Sequence, residues 1–283
     1  MKKKISTNNI ETVISDAKIW VMESGIQNKD LDPQINGSYN AWYDSDTGEY
    51  SYLYSEITGY FITLMCYFYN ISKDNRYLIN GENAANWLLN TTYEINGAFR
   101  CLFTKGRPSK YDHKYNELYS FDNGVIVNGL VNLFRLTKKE KYLAAAITTS
   151  DWLIQTAQTQ AGLFQPVYDI DDGRFFESDK EWSMSSGSYH VKIAIGLLNL
   201  YDLTENKRYL NAATKVCDIT LGYQLTSGRY ISFLSKGGTN VHPHCYTAEG
   251  LWVAGKFLKR DDYLDSSAKS IKWLLDLQNS DGV

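Results

Sequence analysis

Asn75-Arg76-Tyr77-Leu78-Ile79-Asn80-Gly81-Glu82-Asn83-Ala84-Ala85-Asn86-Trp87-Leu88-Leu89 is the stretch whose pattern recurs along the chain. Its Tyr-Leu pair, with a large apolar residue ten positions beyond the tyrosine, returns as Tyr142-Leu143 with Trp152, Tyr209-Leu210 with Ile219, and Tyr263-Leu264 with Trp273. The tyrosines are 65, 67 and 54 residues apart. Self-similarity on this scale marks supersecondary units that bury their apolar faces against one another. Eighteen residues before each tyrosine stand Gly59, Gly124, Val191 and Cys245, and five positions further on stand Leu64, Gly129, Gly196 and Gly250.

Each unit reads as an apolar helix, a short polar turn such as Ser72-Lys73-Asp74-Asn75-Arg76, and an amphipathic helix ending near the tryptophan. The first helices (57–69, 125–136, 191–203 and 248–258) are apolar nearly all round and carry small residues, as helices packed on every side must. The second helices (75–89, 140–154, 207–220 and 262–277) have one polar face and belong outside. A further outer helix at 9–22, with Trp20 at the tryptophan position, opens the series. Connections rich in Gly, Tyr and Asp lead into each inner helix, and their Gly-x-aromatic pieces (Gly37-Ser38-Tyr39, Gly97-Ala98-Phe99, Gly162-Leu163-Phe164, Gly228-Arg229-Tyr230) predict short hairpins. Alternating inner and outer helices predict an all-α single domain over 1–283, an (α/α)6-type toroid with short β-hairpins in its connections. A closed ring of six pairs needs about three more helices, so the reading expects truncation after the fifth outer helix, with the C-terminal hairpins missing.

Net charge and cysteine spacing exclude several functions. A formal charge of −3 leaves no basic footprint for nucleic acid. No window approaches the length of a membrane span, and the lysines at the N-terminus are not followed by an apolar stretch, so a soluble cytoplasmic protein is expected. Cys66, Cys101, Cys217 and Cys245 show no paired spacing, which reads as free thiols in a reducing compartment. GxSxG, GxxxxGK[ST] and helix-opening GxGxxG patterns are absent, so the sequence predicts no cofactor. His242 and His244 are spaced so that both imidazoles do not share a helical face, and no metal is expected.

Polar residues interrupt the apolar helices at their starts. Stacking the inner helices on the Gly59 position gives one polar stripe: Glu56, Tyr60, Thr63, Tyr67; Phe121, Val125, Asn128, Asn132; Ser188, Lys192, Ile195, Asn199; and His242, Tyr246, Glu249, Val253. Buried polar groups cost free energy unless paired or wet, so this stripe predicts a hydrated funnel. Ser55 and Ser120 read as N-caps, with Glu56 and Asp122 favoured in a first turn by the helix dipole whether or not they act chemically. His190 and Lys192 follow a ready cap in Ser186-Gly187-Ser188-Tyr189-His190-Val191-Lys192, and His242-Pro243-His244-Cys245-Tyr246-Thr247-Ala248-Glu249 crowds two imidazoles, a phenol and a carboxylate into eight residues.

Carboxylates at a toroid rim point to sugar chemistry. In a ring of six positions Glu56 and Glu249 face each other across the funnel, an arrangement suited to inverting glycoside hydrolysis, with Asp122 as a further candidate. The aromatic rim (Trp42, Tyr43, Tyr54, Trp182, Tyr189) offers stacking platforms, and Arg100, Arg107, Arg174 and Arg229 are candidates to hold a uronate carboxylate. The candidate catalytic residues are Glu56, Asp122, His190, His244, Tyr246 and Glu249; those for substrate binding are Tyr54, Tyr60, Trp182, Tyr189, Lys192 and His242.

The order Tyr-Ser-Glu-Ile-Thr-Gly-Tyr (54–60), Phe-Asp-Asn-Gly (121–124), Gly-Ser-Tyr-His-Val-Lys (187–192) and His-Pro-His-Cys-Tyr (242–246) resembles the six-hairpin glycosidase-like proteins of exopolysaccharide-biosynthesis clusters, the VpsJ-type family. The resemblance runs from Ile10 to Val283. It implies an (α/α)6 fold and action on a polysaccharide or oligosaccharide partner, and leaves the reaction open. Three readings compete: hydrolysis with Glu249 or Glu56 as general acid and the other, or Asp122, as base; a uronate lyase or C5-epimerase using Tyr246 with His244 or His190 for proton abstraction; and a non-catalytic glycan-binding scaffold.

Overall fold

The computed structural model describes residues 7–94, 96–104, 111–232 and 237–279, and of residues 7–9, 112 and 113 only the backbone. Arg107 lies outside the described residues. Among them nine α-helices follow in order: α1 (Thr7–Glu23), α2 (Ser55–Ser72), α3 (Asn75–Trp87), α4 (Ser120–Thr137), α5 (Glu140–Trp152), α6 (Ile193–Thr204), α7 (Lys207–Leu221), α8 (Val241–Leu258) and α9 (Asp261–Leu277). α2 packs on α4, α4 on α6 and α6 on α8, while each packs on the outer helix that follows it. This is the α/α toroid arrangement, with α2, α4, α6 and α8 inside.

The same close approach builds each inner pair. A Cβ on Gly129 would stand 2.8 Å from the Gly59 carbonyl oxygen, one on Gly196 2.8 Å from that of Gly124, and one on Gly250 2.8 Å from the backbone of Val191. Side chains at these crossings would force the helix axes apart. Inner helices also stop alike: Lys73, Lys138, Glu205 and Lys259 all take the left-handed conformation at φ 56–58°. Their N–H groups return to the carbonyls of Tyr69, Phe134, Tyr201 and Gly255, which satisfies the last turn. Asp74 and Asn206 then cap α3 and α7 by accepting from Arg76 and Arg208 N–H. Behind the turns Tyr142, Tyr209 and Tyr263 are fully buried.

The Gly-x-aromatic pieces form a pin that also repeats. Gly37, Gly97, Gly162 and Gly228 lie at φ 91–109°, where only glycine is unstrained. Each delivers a completely buried aromatic two residues on, Tyr39, Phe99, Phe164 or Tyr230. The aromatic's N–H is received by a side chain in the first turns of the next inner helix. Tyr39 donates to Thr58 Oγ1 at 3.2 Å, Phe99 to Asn123 Oδ1 at 2.7 Å, and Tyr230 to His244 Nδ1 at 3.3 Å. His190 holds the corresponding place before α6.

Short strands gather where the inner helices begin. β1 (Tyr43–Asp44) and β2 (Glu49–Tyr50) form a hairpin, and β3 (Leu53–Tyr54) pairs with β4 (Leu102–Phe103). β5 (Glu117–Tyr119), β6 (Val167–Asp169) and β7 (Arg174–Phe176) make an antiparallel sheet. β3 and β5 run directly into α2 and α4. Cys101 bridges them, its carbonyl accepting from Ser55 N–H and its N–H donating to Glu117. Ser55 and Ser120 are therefore first helical residues and not caps; Ser120 Oγ donates instead to the Gln165 carbonyl at 2.6 Å. No helix among the described residues is long and apolar enough to cross a membrane.

Candidate active site

The strand-to-helix junctions bring two carboxylates from adjacent inner helices to one buried place. Glu56, in the first turn of α2, is 8% exposed, and Asp122, in the first turn of α4, 2%. Asp122 Oδ2 has no hydrogen-bond partner. Burial raises the Asp122 carboxyl well above the usual carboxylate range, and the neighbouring Glu56 charge adds to the rise; Lys114 and the Cys101 thiol oppose it. Burial also raises Glu56, opposed by the hydrogen bond from Tyr54 and by the charges of Lys192 and Lys114. Two like charges in a desolvated site oppose one another, so the arrangement favours the proton on Asp122 and the charge on Glu56, which has the Tyr54 hydrogen bond and the Lys192 and Lys114 charges to support it.

Lys192, in the turn Ser188–Lys192 that leads into α6, forms the facing wall. Its ammonium donates to Glu249 at 2.7 Å and lies 4.1 Å from the ring centre of Tyr246 and 4.7 Å from that of Tyr60. Such contacts over π faces favour a cation that has lost most of its water. Tyr60 and Tyr246 stack at 6.5 Å, and His242 Nε2 shares a 2.6 Å hydrogen bond with the Tyr246 hydroxyl. Trp182 closes this wall, 5.5 Å from His242 and 6.2 Å from Tyr246. Lower in the funnel Asn128 donates to Thr63 at 3.3 Å and Asn199 donates to Asn128 at 2.7 Å, so the polar stripe is hydrogen-bonded across α2, α4 and α6.

Residues 107–251, about half of the chain, match the model of glycosyl hydrolase family 76. The chain belongs to that family. Asp122, Lys192, Tyr246 and Glu249 lie within the matched stretch, and Glu56 precedes it. Among solved structures, a family 76 α-mannanase of Bacteroides thetaiotaomicron is similar at a TM-score of 0.71 and 16% identity, covering 96% of this chain and 71% of its own. Cellobiose 2-epimerase of Bacillus thermoamylovorans aligns at a TM-score of 0.73 and 14% identity, over 95% of this chain and 73% of its own. Unsaturated glucuronyl hydrolase of Bacillus sp. GL1 aligns at 0.63 and 14%, over 80% and 63%. At these identities the likeness is one of fold. No curated protein matches the chain. Family and fold place this protein among carbohydrate-active proteins of the six-hairpin glycosidase type.

The family 76 chain does not assemble every residue singled out from its sequence. Glu56, Asp122, Tyr54, Tyr60, Trp182, Lys192, His242, Tyr246 and Glu249 surround the funnel. His190, His244 and Tyr189 do not reach it, each being 0% exposed. His244 is the pin that holds Tyr230, and its Nε2 faces Ser270 Oγ at 2.8 Å. His190 has no partner at either ring nitrogen, and burial lowers it to about 3, so it is a neutral packing residue against Phe164 and Tyr189. The Tyr189 hydroxyl is spent on the carbonyls of Ser183 and Ser185. Ser188 is likewise sealed, against Thr247 at 2.9 Å. Glu249 is half exposed and tied to Lys192, unlike the enclosed Glu56. Arg100 is bound to Glu94 and Asn116, Arg174 to Asp172, and Arg229 to Thr239, so these three do not converge into a uronate clamp.

Three buried groups beside the carboxylates escaped the sequence reading. Lys114 pairs with Glu181 at 2.5 Å, Glu117 accepts from Tyr119 at 2.8 Å, and the Cys101 thiol is held protonated by burial. All three come from the connection between α3 and α4, which has no periodicity to mark them; the nearest signal is a lysine within an aromatic run, Tyr111 to Tyr115. Among the described residues no three His, Cys, Asp or Glu side chains stand together as a metal site.

Proposed function

We propose that this chain hydrolyses a glycosidic bond of an oligosaccharide or polysaccharide, with Asp122 as general acid and Glu56 as the ionised partner carboxylate. The observation that carries the reading is the buried Asp122, whose Oδ2 has no hydrogen-bond partner, in the first turn of its inner helix beside that of Glu56 at the head of the funnel. Glycoside hydrolysis needs one carboxyl that still holds its proton at neutral pH and one that does not. Desolvation supplies the first at Asp122; Tyr54, Lys192 and Lys114 favour the second at Glu56. Asp122 would give its proton to the leaving oxygen as the glycosidic bond breaks, Glu56 would stabilise the positive charge developing on the sugar ring, and water would bond to the anomeric carbon and return a proton to the carboxylate pair. Lys192, tied to Glu249, favours the Glu56 anion through its charge.

Membership of family 76 and the fold of a neighbour called an α-mannanase support a neutral glycan, and the motif resemblance supports one drawn from exopolysaccharide metabolism. Three buried, unpaired thiols support a reducing, cytoplasmic setting. The test is release of reducing ends from a panel of α-mannans and exopolysaccharides. Asp122→Asn and Glu56→Gln should each abolish it, and release at the unsubstituted rate by either variant overturns the assignment.

One observation favours a second reading. The His242–Tyr246 hydrogen bond stands at the open mouth, and burial together with Lys192 keeps the imidazole neutral and able to accept a proton. An epimerase acting through His242 would incorporate solvent deuterium into intact glycan and lose that exchange in His242→Asn. The Tyr246 phenol is raised by burial, which argues against a tyrosinate base.

A further inference from the structure

A cavity of about 770 Å³, lined by none of the funnel residues, lies between the β1–β2 hairpin and the β3–β4 ladder. Nothing in the hydrolytic step uses it. Its wall carries three aromatic rings in mutual contact: Trp42 meets Tyr52 at 5.2 Å and Tyr111 at 6.0 Å, both edge-on, and Tyr52 meets Tyr111 at 5.1 Å. Trp42 remains 44% exposed, much for a tryptophan already in contact with two other rings. The rings also lead somewhere. Tyr52 is 5.8 Å from Tyr54, whose hydroxyl reaches Glu56. A chain of ring contacts therefore leads from the open cavity to Tyr54 and its hydrogen bond with Glu56.

We infer that this cavity is an extended glycan subsite, in which a sugar unit several residues from the cleaved bond stacks on Trp42 while the chain passes over Tyr52 and Tyr54 to the Glu56 and Asp122 carboxylates. The inference rests on the proposed hydrolase reading for its direction, and on the cavity alone for its ligand. A carbohydrate ring presents axial C–H groups to an aromatic face and hydroxyls around its edge, and the cavity supplies acceptors for those hydroxyls in Asp44 and Glu49. Three carboxylates in the wall, Asp30, Asp44 and Glu49, suit a neutral hexose chain and oppose a uronate.

The experiment measures binding apart from turnover. Calorimetric affinities of α-mannan oligosaccharides of two and of six units are taken on Asp122→Asn protein, with and without Trp42→Ala. Expected is about tenfold weaker binding of the hexasaccharide in Trp42→Ala, with the advantage of six units over two largely lost and partly restored by Trp42→Phe. Trp252→Ala, an exposed tryptophan on α8, should leave both affinities unchanged. Equal weakening of both lengths, unaltered hexasaccharide affinity, or equally tight binding of a hexagalacturonate overturns the subsite. Melting of Trp42→Ala at the parent temperature excludes unfolding as the cause. Because no bond need be cleaved, a failure here is separate from a failure of the catalytic assignment, which Asp122→Asn turnover reads.

Discussion

Lys192 and Glu249 form an ion pair of 2.7 Å between the turn preceding α6 and the third turn of α8, with the lysine side chain 9% exposed and the glutamate 50%. The pair holds a positive charge where Glu56 feels it. Glu249 is thereby an anchor for a cation, and the proposed acid-base pair is Glu56 and Asp122 on neighbouring inner helices.

Lys192→Met removes a charge that lowers the Glu56 pKa, so Glu56 should ionise only at higher pH. The acid limb of the kcat/KM profile should move upward, while the Asp122→Asn defect remains distinct. A limb that stays in place would show that ionisation of Glu56 is not required.

Asp122→Asn should lower kcat by about 10³-fold and at the same time stabilise the fold. The Asp122 pKa is raised in the folded state, so its favourable contribution is complete below the unfolded value, about pH 4, and is lost as pH rises through the folded pKa. Urea unfolding should find the variant more stable than the parent at pH 7 and equal to it below about pH 4.

His190 has the opposite sign. Its pKa falls from 6.5 to about 3 on burial, so its contribution is present above pH 6.5 and lost as pH drops through that window toward 3. His190→Asn, which copies Asn123 at the corresponding place, should flatten the acid decline in stability between those limits. An unchanged acid limb in thermal melts would contradict this.

His244→Ala strands the Tyr230 N–H and the Ser270 hydroxyl in the core, at about 1–3 kcal/mol for each unsatisfied group. His244→Asn, again after Asn123, should recover part of that loss. Neither should change kcat at a temperature where the protein is folded, whereas a catalytic His244 would lose turnover in both.

Gly228→Ala must hold a side chain at φ 93° with its Cβ 2.4 Å from the Lys269 carbonyl oxygen, for a loss of about 1–3 kcal/mol. Gly48→Ala, at φ 73° with only the Tyr43 hydroxyl within 3.9 Å, should lose less. Chemical denaturation of the two side by side reads the difference.

The toroid was legible in the chain because repetition is a one-dimensional property. The Tyr-Leu pairs, the glycines five positions past Gly124, Val191 and Cys245, and the all-round apolar helices needed no partner to be recognised, and those three glycines proved to do the same job, each at a crossing of inner helices. The funnel stripe was legible for the same reason from Tyr60 to Asn199. At the helix starts the method failed: periodicity put Phe121 into the opening and Asp122 to one side, whereas Phe121 packs 4.9 Å from Tyr246 and Asp122 meets Glu56.

The sequence by itself thus determined the two rings of helices, the direction each enters, and the sugar-facing class of chemistry. Only the tertiary structure decided which polar groups are sealed, as His190 and His244 are, and which carboxyl keeps its proton. Desolvation is set by everything that surrounds a group, and Asp122 feels Glu56, from the helix that follows β3, together with Cys101 and Lys114, from the connection before α4 that the β3–β4 ladder ties to it. No spacing along the chain records that encounter.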